Sequence, residues 1–208
     1  VELVPGLPVR AVAAPGHSEG STLFFLNAAL AVGTGVLLVS MVADVVEDVM
    51  AQVAGVTGRE HHVFDYYGAA DATDVAALRR AADQIEPLIR VLASDGVRVE
   101  VIAGLVGELN RAVFRRLWEL VSPEDLRARS CLIVMGSEGR GEQIIRTDQD
   151  NGLILADDVD PAAAAPAAEA FTAALVDFGY PPCPGGIMAS RSLWRQPLAG
   201  YRQTIGQW

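Results

Sequence analysis

Residues 131–155 read CLIVMGSEGRGEQIIRTDQDNGLIL, and their order decides how the whole chain is read. Cys131–Met135 is an apolar run of strand length, suited to a buried strand. A glycine-rich turn follows at Gly136, Gly139 and Gly141. A second short apolar run, Gly152–Ala156, is led by the carboxylates Asp148 and Asp150. The expected order is strand, Gly-Ser turn, short helical or irregular connection, then an acidic strand.

Those residue types at that spacing point to triphosphate-and-metal chemistry. On a strand, residues i and i+2 share a face, about 6–7 Å apart. Asp148 and Asp150 so placed can share one or two Mg²⁺ ions, which prefer oxygen ligands and recruit substrate phosphates. In two-metal phosphoryl transfer one ion activates the attacking group and the other steadies the leaving phosphate. Gly136 lets the backbone approach a phosphate closely, and the Ser137 hydroxyl and nearby N–H groups can donate to it. Arg140 and Arg146 offer positive charge to a triphosphate. A Walker loop is excluded, because no Gly-Lys-Ser/Thr follows. The glycines do not fall in GxGxxG order. An EF-hand fails because the glycine comes one position early and Val159 stands where the last Glu belongs. A plain glycine-rich turn followed by an acidic strand cap fits the spacing equally well.

Composition bounds the function. With 208 residues the chain has length for one domain or two small ones, and 51% hydrophobic and 20% charged residues describe a folded protein. All 16 basic residues are Arg, so no lysine nucleophile, Schiff base or Walker lysine is available. A net charge of −10 disfavours general nucleic-acid binding, which needs a basic surface. Cys131 and Cys183 form no CxxC and read as reduced thiols of a cytoplasmic protein. The first residues lack a basic n-region, so no signal peptide is recognisable. The missing initial Met points to a fragment.

Residues 1–20 read as loop with one short strand. Leu23–Ala43 carries no charge, and its length admits a membrane anchor. Asn27, the Gly33-Thr34-Gly35 break and the absence of flanking anchors favour a buried helix, Leu23–Val32, then a strand, Val36–Val42. Asp44–Val53 reads as an amphipathic helix. His61 and His62 diverge on a helix or strand and have no third ligand at suitable spacing, so they and His17 read as surface or linker residues. Asp71–Ser94 is an expected helix capped by Asp71 or Thr73 and kinked at Pro87, and Val97–Val121 is a second, the two forming a helical hairpin. Arg111, Arg115 and Arg116 fall on its polar, solvated side. Ser122-Pro123-Glu124-Asp125 is a helix start with Ser122 as cap. A helix over Pro161–Phe178, started by Asp160 and stopped by Gly179, follows the acidic strand. Cys183–Ser190 reads as loop with Trp194 and Arg195 behind it, and Leu198–Trp208 as the start of another helix.

Gly136-Ser137, ten residues, then Asp148-x-Asp150 resembles the signature of the DNA polymerase β-like nucleotidyltransferase superfamily. The longer string GSEGRGEQ…TDQDNGLIL resembles the DUF294 nucleotidyltransferase family, related to the N-terminal catalytic domain of protein-PII uridylyltransferase. CPGGIMAS…LWR is similar to that family's downstream loop, and residues 71–121 to its preceding helical segment. The resemblance covers roughly residues 70–208. It implies an α/β (α+β) fold: a small mixed nucleotidyltransferase-like sheet flanked by helices and preceded by a helical hairpin, truncated at its C-terminus. The domains expected are an unassigned segment at 1–60, a helical segment at 61–130 and an incomplete core at 131–208. The resemblance implies NTP as substrate, two Mg²⁺ ions on Asp148 and Asp150, and a nucleotide held at Gly136, Ser137, Arg140 and Arg146. The acceptor is open, a regulatory protein among the choices, and regulatory domains are expected upstream or downstream. The superfamily's third carboxylate finds no counterpart here and is expected beyond Trp208. An NTP-binding regulatory module without transfer remains the alternative function, and a membrane anchor through 23–43 the alternative placement.

Overall fold

Asn151–Leu155 is buried at every position and is the central strand of its sheet. The computed structural model describes residues 10–13, 22–25, 69 and 71–207. Two strands, β1 (Arg10–Ala13) and β2 (Thr22–Phe25), pair antiparallel. Among the described residues three helices follow: α1 (Val75–Ala82), α2 (Ile85–Ser94) and α3 (Val99–Val121). Then come α4 (Glu124–Ala128), β3 (Ser130–Val134), the single turn α5 (Gly136–Gly139) and β4 (Asn151–Leu155). After α6 (Ala165–Asp177), a short 3₁₀ turn leads into β5 (Arg195–Pro197) and α7 (Leu198–Gly206).

The chain divides into two compact units. One holds β1, β2, Val121–Arg140 and Asp148–Trp208, and contains a three-stranded mixed sheet in the order β3-β4-β5. β3 runs antiparallel to β4, pairing Cys131 with Ile154 and Ile133 with Gly152. β5 runs parallel to β4, pairing Leu153 with Arg195. From Gly152 onward the central strand is apolar, because both faces are covered. Ile154 belongs to a cluster with Met135, Cys183, Ile187, Met188, Trp194 and Tyr201. Leu153 and Leu155, on the opposite face by strand alternation, are fully buried, as are Phe171 and Leu175 of α6. This is the mixed helix-and-small-sheet architecture expected of an α/β nucleotidyltransferase-like fold.

The other unit holds the helices up to Leu120 together with Gly141–Thr147. The apolar stripe of α3 is buried at Ile102, Val106, Leu109, Val113 and Leu117, while Val99 at its start is 55% exposed. Where an added Cβ on Gly107 would point, the Gly141 Cα lies only 3.5 Å away, so α3 and the following loop approach closely.

Several expectations are corrected. Asp71–Ser94 is two helices: the first ends at Asp83, and Asp74 caps it by accepting from the Ala77 N–H at 2.7 Å. Pro87 makes no kink, because it is the third residue of α2, where its missing N–H has no partner to lose. The α3 arginines are half-buried, and two are engaged: Arg111 pairs with Glu108, while Arg116 binds Glu119 and the Ala72 carbonyl. Pro123 occupies the cap position of α4, and the Ser122 carbonyl accepts from Arg127. Asp160 caps a turn through the Ala162 N–H, and the helix proper starts at Ala165. Leu23–Phe25, placed in a helix by the sequence reading, lie in β2. The remainder of that helix, the Val36–Val42 strand, the Asp44–Val53 helix and all three histidines lie outside the described residues. Among the described residues no helix is long and apolar enough to cross a membrane.

Candidate metal and nucleotide centre

The segment Asp148-Gln149-Asp150-Asn151 is extended and alternates, so its residues divide into two pairs facing opposite ways. Gln149 and Asn151 are buried at 3% and 1% exposure and face inward. Gln149 donates through its side-chain amide to the Tyr180 carbonyl at 3.2 Å and the Thr172 carbonyl at 3.4 Å. Asn151 donates to the Gln149 Oε1 and accepts from the Ala189 N–H at 2.9 Å. The backbone adds two bonds to the same neighbouring segment: the Gln149 N–H donates to the Pro181 carbonyl, and the Asn151 N–H to the Ile187 carbonyl. Gln149 forms a parallel bridge with Pro182. The two buried amides thus lock residues 181–189 beside the acidic segment.

The other pair, Asp148 and Asp150, emerges on the opposite side and is half-buried. One ligand atom from each, and the Cys183 sulfur, lie within 4.8 Å of one another. The two carboxylates therefore share a face, as the i, i+2 spacing implied, although they stand in the extended lead-in to β4 rather than within it. Cys183 is buried, and its thiol donates a hydrogen bond to Asp150. Burial and that carboxylate push the thiol up to about 11, so it stays protonated near neutral pH.

Gly136 closes the third side. Its φ of +61° is left-handed, and an added Cβ would lie 2.2 Å from the Asp150 Oδ2. Only glycine fits both the conformation and the space. The Met135 N–H donates to the Asp150 carbonyl at 2.8 Å, which extends the β3–β4 ladder and holds the turn against the carboxylate. Gly139 is equally cramped, since a Cβ there would lie 2.7 Å from the Val134 carbonyl oxygen. Ser137 lies within the α5 turn, and Arg140 is exposed at its end.

The structure therefore brings together Gly136, Asp148 and Asp150, with Ser137 in the adjoining turn. Arg146 belongs to the other unit, where its guanidinium donates to the Ala82 carbonyl at 2.6 Å and to Asp83 at 3.3 Å. Cys183, Gln149 and Asn151 were not singled out as site or positioning residues. For Cys183 the available signal was the CPGGIMAS string; for the two amides it was their alternation with the aspartates. Among the described residues this is the one cluster of three or more His, Cys, Asp or Glu side chains with metal-binding spacing, and no third carboxylate belongs to it. Two converging carboxylates are the donor set a hard divalent ion takes.

The family profile described as "Putative nucleotidyltransferase DUF294" matches residues 83–208, more than half of the chain. The chain belongs to the DUF294 family. The family's description names nucleotidyl transfer at a coarse level. The DUF294 match contains the whole acidic centre and the loop that carries Cys183. The chain is also similar, over 61 residues at 38% identity, to the pyruvate-flavodoxin oxidoreductase of Klebsiella pneumoniae. It is 42% identical over 59 residues to the pyruvate:ferredoxin oxidoreductase of Moorella thermoacetica. Those stretches cover 29% and 28% of this chain, which spans only 5% of either relative's length, so they assign it no activity. No solved structure matches the DUF294 chain.

Proposed function

We propose that residues 131–208 carry a metal-dependent nucleotidyltransferase centre that moves NMP from an NTP to an acceptor on a regulatory protein, in the manner of protein-PII uridylyltransferase. The observation that supports it is the convergence of Asp148 and Asp150 beside Gly136. When bound, Mg²⁺ supplies activation of the attacking group and charge neutralisation on the leaving pyrophosphate. Asp148 and Asp150 hold the ions. Ser137 and the backbone N–H groups of its turn donate to the phosphates. Arg140, exposed at the end of the turn that carries Ser137, is the cation we assign to the triphosphate. The acceptor oxygen attacks the α-phosphorus and loses its proton to solvent, the bond from that phosphorus to the oxygen bridging to the β-phosphate breaks, and pyrophosphate leaves.

The test is transfer of label from α-labelled NTP with Mg²⁺ to candidate acceptor proteins. The Asp148→Asn/Asp150→Asn double variant is expected to lose transfer, and an unchanged rate would overturn the reading. A second reading, NTP–Mg²⁺ binding without transfer, is favoured by the absence of a third carboxylate from the cluster among the described residues. Calorimetry separates them: NTP binding without labelled product selects the sensor, and no binding at millimolar NTP removes both.

A further inference from the structure

Cys183 is the member of the cluster for which Mg²⁺ has no use, because that ion takes oxygen ligands. Its place is nonetheless firmly built. The loop around it is pinned by the Gln149 and Asn151 bonds, and further on by Arg195, which donates to the carbonyls of Pro161, Ala189 and Ser190. The sulfur is buried and shares a sphere of 4.8 Å with both carboxylates. A thiophilic ion such as Zn²⁺ binds sulfur at about 2.3 Å and carboxylate oxygen at about 2.0–2.2 Å, which sets ligands of a tetrahedral site about 3.3–3.8 Å apart. The observed limit of 4.8 Å is wider than that, so binding draws the three ligand atoms together.

We propose that Asp148, Asp150 and Cys183 form a binding site for a thiophilic divalent cation, Zn²⁺ or Cd²⁺, whose capture excludes the oxygen-liganded ion from the same carboxylates and shuts off transfer. The inference rests on the reading of Asp148 and Asp150 as metal-binding carboxylates. In the binding step the S–H bond breaks, its proton goes to solvent, and a sulfur–metal bond forms; no electron changes hands.

Cd²⁺ is the probe. Titration of the protein is expected to give one ion per chain and a thiolate-to-cadmium charge-transfer band in the ultraviolet. Cd²⁺ should also displace bound Mn²⁺, followed by the paramagnetic signal of the free ion. Cys183→Ser should abolish the band and weaken Cd²⁺ binding by more than the about 10–100-fold typical of losing an outer-shell partner, while Cys131→Ser retains both. A band that persists in Cys183→Ser, or Cd²⁺ and Mn²⁺ bound together without competition, overturns the proposal. Should Cys183→Ser fail to fold, Asp148→Asn keeps the thiol and must weaken both ions; an unchanged Cd²⁺ affinity there also overturns it. No labelled transfer with Mg²⁺ alone, with Cd²⁺–Mn²⁺ competition intact, overturns the transferase reading and supports the site. Mg²⁺-dependent transfer that Cd²⁺ leaves untouched overturns the site and supports the transferase.

Discussion

An alanine at position 136 would have to adopt a φ of +61° and fit a methyl group 2.2 Å from an Asp150 oxygen. The conformation alone costs about 1–2 kcal/mol, and the clash displaces the carboxylate. Gly136→Ala is therefore expected to lower stability by at least that much in urea denaturation and to abolish Mn²⁺ binding. Gly141 makes the comparison sharp: its φ is +68° with nothing within 4 Å of an added Cβ. Gly141→Ala should show the strain in denaturation and leave Mn²⁺ binding intact; equal loss of binding in both variants contradicts the argument. At this scale the Gly-Ser and Asp-x-Asp letters were legible because alternation needs only a local extended backbone. Cys183 was not, since its place beside Asp150 depends on the bridge between Gln149 and Pro182, a pairing across 33 residues that no local pattern announces.

Arg195 shows what short elements contribute. Its guanidinium is 7% exposed and spends its donors on the carbonyls of Pro161, Ala189 and Ser190, at 2.8–2.9 Å. Charged donors of this kind are worth about 1.5–3 kcal/mol each when removed. Arg195→Lys cannot rescue them, because a point ammonium does not match a planar fork spread over separate carbonyls. The variant is expected to lose on the order of 3 kcal/mol and to lower the melting temperature, and near wild-type melting would contradict it. Helical elements were read well from periodicity, most clearly the buried stripe of α3. Their breaks were read less well: Pro87 drew attention, yet the interruption falls at Asp83–Gln84, because a proline in a first turn has no helical bond to break. β5 escaped notice because three residues ending in Pro197 carry no alternation, and their pairing with β4 is set by distant contacts.

Net charge and global stability are properties of the whole chain. With 26 acidic against 16 basic residues, the protein is expected to show no retention of single-stranded RNA or DNA at physiological salt in filter binding, and salt-sensitive retention would contradict this. Tyr201 links the core to pH. Its hydroxyl donates to the Trp194 carbonyl at 2.7 Å, and burial pushes its ionisation well above the usual tyrosine range. In the unfolded chain the phenol ionises near pH 10. Above that value the unfolded state binds fewer protons than the folded one, so stability falls as pH rises. Tyr201→Phe, which leaves a buried carbonyl without its donor, should cost about 1–3 kcal/mol near neutral pH. Its deficit against the wild type should shrink between pH about 8 and about 10.5; urea midpoints that keep a constant gap contradict the linkage. The parallel pairing of Leu153 with Arg195 has a consequence in time. A parallel pair needs its crossover in place before it can close, and such long-range contacts form slowly. The hairpin of β3 and β4 can form early from near neighbours, carrying Gly136 and both aspartates with it. Cys183 reaches them only when the parallel Gln149–Pro182 bridge closes, so a nascent or freshly diluted chain should acquire its carboxylate pair before its thiol.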